Sequence, residues 1–265
     1  MIKNTLLPVA EFCQRRSNFI AQMPANSIAL ISAGKEITRS NDTEYPFCQN
    51  KHFYYLTGFN EPEAVLVLIK SAQPQAILFC LPKDPLAEVW HGKRIGEVSA
   101  KQDYGFDQTY VLAELDTLIF EYFNQSSTLY FCRGLFCGGH GESFDQQVYQ
   151  WLDEAKAKSR QGYKAPSQII DCQNLIEELR LIKSADELNI MRKVNVISGN
   201  AHQRAMEKTA AGKFEYQIEA EILHEFARHG ARFPAYNSIV AGGDNANILH
   251  YTNNDQPLNN GDLLL

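Results

Sequence analysis

Among the residues whose types could do chemistry together, His224-Glu225 and His229 come first. A His-Glu-x-x-His motif sets its histidines four apart, so that one helix face offers both rings to a single metal ion. Here they are five apart, and at about 100° per residue the two rings diverge by about 140°. That spacing predicts a polar helix face of Glu221, His224, Glu225 and Arg228 instead of a metal site. The Gly-rich Ala241-Gly242-Gly243-Asp244-Asn245 fits neither the dinucleotide nor the P-loop pattern and opens no helix, so it predicts a turn, not a phosphate cradle. No Ser-His-Asp or Cys-His set emerges from local spacing, and nothing marks a covalent nucleophile. His250 stands in Ile248-Leu249-His250-Tyr251, where a polar ring interrupts an apolar strand-like run. Pattern alone favours a structural histidine there.

The six cysteines, Cys13, Cys48, Cys80, Cys132, Cys137 and Cys172, show no C-x-x-C spacing. In a chain long enough not to need staples they predict reduced thiols and a cytoplasmic location. Cys132 and Cys137 are nearest in sequence, but without a nearby histidine pair they read as small buried residues. The formal net charge of −6 provides no basic field for phosphates, which argues against nucleic acid as a partner and for a small or peptidic one. The N-terminus lacks the apolar core of a signal peptide, and the run from Ala64 to Ile69 is too short to span a bilayer, so no membrane association is expected.

These groups must be positioned by a scaffold. At 265 residues with 45% hydrophobic content, the chain is long enough for two cores. Phe12, Cys13, the stem of Arg16, Phe19 and Ile20 recur at helical spacing, predicting a helix from Val9 to Gln22 that Pro24 stops. Ser27 to Ile31 reads as a strand. Ala64 to Ile69 and Gln75 to Cys80 read as two more, joined as a hairpin by a polar turn with Pro74. Amphipathic stretches follow near Leu112 to Phe123 and Phe144 to Ala157, flanking a strand-like Thr128 to Cys132. The alternation predicts an α/β (α+β) fold with a mixed sheet flanked by helices.

The polar segment Ser159 to Pro166 is a loop or the approach to a linker, and the domain boundary is placed near Asn174, giving domains 1–174 and 175–265. Ser184-Ala185-Asp186-Glu187 has the capping-box pattern and predicts a long helix to about Lys208. Phe214 to His229 predicts another, with Ile222, Leu223 and Phe226 on one face and Gly230 as its C-cap. Tyr236 to Gly242 and Ile248 to Tyr251 are expected to be short strands.

Several stretches together resemble the aminopeptidase P family, the Xaa-Pro aminopeptidases of the pita-bread metallopeptidase fold. In the front half they are Thr38 to Phe47, Gln49-Asn50 and Phe53 to Ala64. In the rear half they are Glu178 to Ser184, Ala205-Met206-Glu207, Phe214-Glu215-Tyr216, His224-Glu225-Phe226, His229 to Arg232, Tyr236 to Val240 and Ile248 to Thr252. The resemblance implies an N-terminal mixed-sheet domain followed by the first half of a pita-bread catalytic domain.

It also implies release of an N-terminal residue when proline follows it. Two divalent metal ions, typically manganese, would be held by two Asp, one His and two Glu. They would lower the pKa of a bridging water and polarise the scissile carbonyl.

The same resemblance places His250 on the family's substrate-contacting active-site histidine and Tyr236 on a tyrosine near it. Trp90 matches a tryptophan that, in tetrameric members, helps close a neighbouring subunit's active site, and Arg160 accompanies it. A half-buried aromatic at a domain edge is the competing reading of Trp90. A homo-oligomer, dimer or tetramer, is expected of the full-length protein.

In the family the strand matching Gly261 to Leu265 runs on to the first metal-ligating Asp, so Asp262 is not read as a ligand and no residue here is assigned to metal. The chain alone is therefore expected to be inactive, with a self-folding front domain and an incomplete rear one, in which Leu263 to Leu265 lack strand neighbours. A non-catalytic binding or oligomerisation module of the same fold is the alternative. A prolidase or creatinase relative fits the front half less well.

Overall fold

The computed structural model of the chain describes residues 6–132 and 142–265, and Cys137 lies outside them. The chain divides into two compact units, Met1–Ile182 and Lys183–Leu265. The division falls later than Asn174, because Asn174 lies within a helix, Gln173–Leu181, that packs into the first unit's core.

The first unit opens with α1 (Val9–Gln22) and β1 (Ser27–Ser32). The small hairpin β2 (Thr38–Ser40) and β3 (Thr43–Glu44) leads to α2 (Lys51–Thr57). β4 (Val65–Lys70) and β5 (Gln75–Cys80) pair antiparallel, with Ile69 opposite Gln75, and form the expected hairpin. Then come α3 (Pro85–His91), α4 (Gly96–Tyr104) and β6 (Gln108–Val111). A short 3-10 turn precedes α5 (Leu115–Asn124), which is followed by β7 (Thr128–Phe131), α6 (Glu142–Ala157), β8 (Gln168–Asp171) and α7 (Gln173–Leu181).

The strands form one mixed sheet in the order β6-β5-β4-β1-β7-β8, as the alternation of strand and helix predicts. β1 pairs antiparallel with β4 and parallel with β7. Because successive strand residues face opposite sides, each apolar run serves two cores. Ala29, Ile31, Leu66, Leu68 and Leu78 pack under α1, α2, α4 and α7, where Phe19, Phe53, Ala100 and Ile176 meet them. Ile28, Leu30, Val67, Ile77 and Phe79 face the other way, against Ile119 and Phe123 of α5 and Trp151 and Leu152 of α6. A strand buried on both faces reads as a continuous apolar run, which is why β1 and β4 were legible.

Buried polar side chains hold the loops of this unit. Arg16 is not merely an aliphatic stem. Its guanidinium is buried and donates to the carbonyls of Leu56 at 3.0 Å, Tyr104 at 3.0 Å and Gly105 at 2.6 Å. These carbonyls end α2 and α4, where a cation meets the negative end of the helix dipole. Gln49 has all four hydrogen bonds filled: its Oε1 accepts from Gly34 N and Asn50 N, and its Nε2 donates to Phe59 O and Glu61 O. Asn50 caps α2 by accepting from the amides of His52 and Phe53. At Gly58 (φ 66) a Cβ would lie 2.6 Å from the Phe12 ring, so both the left-handed turn and the close approach of α1 require glycine. The front-half resemblance around Gln49 to Gly58 therefore coincides with scaffold residues.

The second unit contains α8 (Ala185–Lys208) and α9 (Glu215–Arg228). The predicted capping box at α8 is present, with Ser184 Oγ accepting from Glu187 N at 3.2 Å and the Glu187 carboxylate accepting from Ser184 N at 2.9 Å. Its core is small: Ile218, Val240 and Leu258, supported by Ala205, Ile222 and Leu264. Tyr236 to Gly242 and Ile248 to Tyr251 are not strands. Gly243–Asn247 is a 3-10 turn, and Ile248 and Leu249 are 52% and 89% exposed, so their apolar side chains pack no sheet. Leu263 to Leu265 do find a neighbour: Ala241 N and Leu265 O, and Leu265 N and Ala241 O, bond reciprocally at 2.9 Å. Among the described residues no helix is long and apolar enough to cross a membrane.

Candidate functional site

His250 lies at the exposed tip of the segment between the 3-10 turn and Tyr251. What fixes that segment is Glu215, the first residue of α9. Its backbone N–H donates to Gln256 O at 3.0 Å, and Gln256 N returns a bond to Glu215 Oε2 at 3.0 Å. Tyr251 Oη donates to the same oxygen at 2.7 Å. Glu215 Oε1 accepts from Gly242 N at 2.7 Å and Asn245 Nδ2 at 3.1 Å. One fully buried carboxylate thus receives four donors drawn from both ends of the loop that carries His250.

Burial alone would raise the Glu215 carboxyl, but the Gly242 and Gln256 amides, with the Tyr251 hydroxyl and Asn245 amide, outweigh it and hold the group below the usual carboxylate range. Burial and the bond to Glu215 push the Tyr251 phenol up to about 12, so it stays a neutral donor.

A second buried brace is Asn254, whose φ of 48° places it in the left-handed region that asparagine tolerates. Its Oδ1 accepts from Val240 N at 2.9 Å, and its Nδ2 donates to Ser238 O and Glu219 Oε2, both at 3.0 Å. Asn254 therefore ties the segment after Tyr236 to the segment after His250 and to α9. Tyr236 itself is 76% exposed. Glu215 entered the sequence reading only inside a resembling motif, and Asn254 not at all. One of two adjacent Asn in a polar run after an apolar one carries no local signal for this role.

In the first unit, Trp90 sits on α3 and is 84% exposed, with Leu86 and Val89 exposed beside it. It is not the half-buried edge aromatic of the competing reading. Asp84 caps that helix through the Leu86 and Ala87 amides, and Pro85 opens it. Arg160 lies exposed in the 3-10 turn Ser159–Gln161.

On α9, His224 is exposed, but Glu225 is buried instead of belonging to a solvated face. Its carboxylate meets His229 Nε2 at 2.9 Å and Arg228 at 3.8 Å, which explains how a buried acid is tolerated. Asp262 Oδ2 accepts from the backbone and side-chain nitrogens of Asn259, closing the turn before Leu263. Among the described residues, no three His, Cys, Asp or Glu side chains stand together as a metal donor set.

Comparison with known proteins places this scaffold. Residues 12–130 match the aminopeptidase P N-terminal domain, and residues 189–265 match metallopeptidase family M24. The chain is 43% identical over 257 residues to the Xaa-Pro aminopeptidase of Escherichia coli (strain K12), covering 96% of this chain and 57% of that protein. It is 43% identical over 260 residues to the Xaa-Pro aminopeptidase of Haemophilus influenzae, covering 98% and 57%.

Among solved structures, E. coli aminopeptidase P with the inhibitor Pro-Leu superposes with a TM-score of 0.92 at 42% identity, covering 97% of this chain and 58% of that one. Proline aminopeptidase P II from Yersinia pestis gives 0.93 at 42%, with the same coverage. The chain spans about 57% of the length of the curated relatives it matches. Both matched domains occur in order, and the identity extends over nearly all 265 residues at a level that also preserves the backbone. This chain belongs to the aminopeptidase P family.

Proposed function

We propose that the full-length protein is a metal-dependent Xaa-Pro aminopeptidase, releasing the N-terminal residue from peptides with proline in second position. The observation that carries this reading is the 43% identity over 257 residues to an Xaa-Pro aminopeptidase, through both units and past His250. The substrates are proline-containing peptides, and the working form is a cytoplasmic homo-oligomer. Among the described residues no donor set fits a metal pair. The two ions, taken to be Mn2+, are held by residues of the full-length protein outside this segment.

His250 contacts substrate in this reading. An imidazole at an exposed tip can donate or accept a hydrogen bond, and the Glu215 clamp fixes its position without occupying its ring. Tyr236, on the segment braced by Asn254, lines the same region of the unit. Trp90 and Arg160 contribute from the first unit of a neighbouring copy.

The test uses the full-length protein, assayed on a tripeptide Xaa-Pro-Yaa and a dipeptide Xaa-Pro. Cleavage of the first and not the second is expected. His250→Ala should lower kcat with metal content unchanged. Preference for the dipeptide would make the protein a prolidase, binding without cleavage would favour the non-catalytic module, and loss of metal in His250→Ala would give that residue a different role.

A further inference from the structure

Along the chain Cys132 has Cys137 as its nearest thiol, but the fold brings it another. β7 and β8 pair in parallel with Phe131 opposite Asp171, and the next residue of each is a cysteine. Cys132 and Cys172 therefore leave the sheet side by side, with their Sγ atoms 3.0 Å apart and one thiol donating to the other. Closing that gap to a bond length near 2.05 Å takes a movement of about 1 Å. The backbone around Cys172 is anchored, its N–H on Phe131 O at 3.3 Å and its carbonyl receiving Ile176 N at 3.1 Å. The two thiols differ in access: Cys132 is half-buried, whereas Cys172 is wholly buried in the core beneath α7.

We propose that Cys132 and Cys172 form a two-electron oxidation site that closes to an internal disulfide on meeting a low-molecular-weight disulfide of the oxidised-glutathione class. Cys132, the accessible member, releases its proton to solvent, and its sulfur attacks one sulfur of the reagent. The reagent's S–S bond breaks, and half of it leaves as a thiolate that takes up a proton. Cys172 then gives up its proton and attacks Cys132 Sγ, and the second half of the reagent leaves as a thiol. Two cysteine thiols are oxidised and one reagent disulfide is reduced to two thiols.

The hydrogen bond with Cys132, reinforced by burial, holds the Cys172 thiol far above the usual thiol range. The second step is therefore the slow one, and the mixed disulfide at Cys132 forms first. Cys80 is no competitor, since burial pushes its thiol up to about 12. The closed link would join the end of β7 to the start of α7, across 40 residues of chain.

The folded chain is incubated in glutathione buffers from reducing to fully oxidised, quenched with an alkylating agent, digested and read by mass spectrometry. The expected result is a peptide linking Cys132 to Cys172 that grows with the oxidised fraction, together with a raised midpoint of thermal unfolding. Cys172→Ser should arrest at a glutathione adduct on Cys132, and Cys132→Ser should leave Cys172 unmodified until the chain is denatured. The proposal is overturned by a Cys132 to Cys137 link, by a stable glutathione adduct on Cys132 in the unsubstituted chain, or by recovery of both thiols free in the fully oxidised buffer. The linked peptide is read in the unsubstituted chain, so the result does not depend on either variant folding.

Discussion

Tyr251 donates its hydroxyl to the carboxylate of Glu215 at 2.7 Å, and this bond ties the first turn of α9 to the residue that follows His250. A glutamine at 215 keeps the shape but turns one acceptor oxygen into a donor, so two of the four groups aimed at it lose their partner. Glu215→Gln should cost the second unit about 1.5–3 kcal/mol, the range for hydrogen bonds to a charged group. Amide hydrogen exchange at Gly242, bonded to Oε1, and Gln256, bonded to Oε2, checks it: the amide facing the new NH2 group should lose protection, and unchanged protection at both would show that the carboxylate is not the clamp.

The same carboxylate implies an acid limit. Its folded pKa lies below the ordinary value, so its contribution is complete above the unfolded value of about 4.3. That contribution is lost as pH falls through the lowered folded value. Acid titration of the unfolding midpoint of the second unit should show this loss in the parent chain, and Glu215→Gln should flatten it.

In the first unit the pH-sensitive group is His52, buried in α2 with its Nδ1 3.3 Å from Arg180 Nη1. Burial, and then the Arg180 charge, lower its pKa, although Glu177 and Asp171 pull the other way. The neutral ring is the one that fits, with Nδ1 accepting from the guanidinium. As pH falls below the unfolded value of about 6.5 the unfolded chain binds the extra proton first, and stability declines toward the lowered folded value. Thermal midpoints measured from pH 8 to 5 should therefore fall, and His52→Gln should remove the fall. An unchanged slope in that variant would assign the effect to other groups.

Arg16 offers a sharper mutational test, because three carbonyls depend on it. Arg16→Met retains the aliphatic stem that packs in α1 but leaves the carbonyls of Leu56 and Tyr104 without the guanidinium and that of Gly105 with only the Cys13 thiol at 3.6 Å. A loss of about 2–4 kcal/mol in the first unit is expected. Urea unfolding followed by Trp151 fluorescence measures it, since that indole is buried between α5 and α6. A loss below about 0.5 kcal/mol would show that solvent replaces the guanidinium.

How much of this was legible depended on where backbone hydrogen bonds go. β1, β4 and β5 satisfy theirs within a sheet, and their apolar runs announced it. Ile248 and Leu249 carry the same residue types, yet their loop is bonded to the side chains of Glu215 and Asn254, so strand-like composition misled. α2 and α7 were missed because each is only about two turns long, too short for a helical period to stand out; the Asn50 cap and the packing of Ile176 into the sheet's core complete them. The match of Cys132 to Cys172 required the parallel register of β7 and β8, which no local spacing contains. Arg16 was counted as a stem, since nothing near it in sequence marks the carbonyls it meets.

Trp90 separates folding from function most cleanly. At 84% exposure on a helix with no buried residue, its ring contributes little to the first unit, and Trp90→Ala should move the unfolding midpoint by no more than about 0.5 kcal/mol allows. Large exposed aromatics flanked by exposed Leu86 and Val89 form a surface that gains by being covered. If Trp90 reaches a neighbouring active site, the full-length variant should lose kcat/KM on Xaa-Pro-Yaa by about tenfold, equivalent to about 1.4 kcal/mol of transition-state stabilisation. That loss should appear without any change in midpoint or metal content. Parent-level kcat/KM in Trp90→Ala would reduce the residue to an ordinary surface aromatic and remove it from the proposed substrate site.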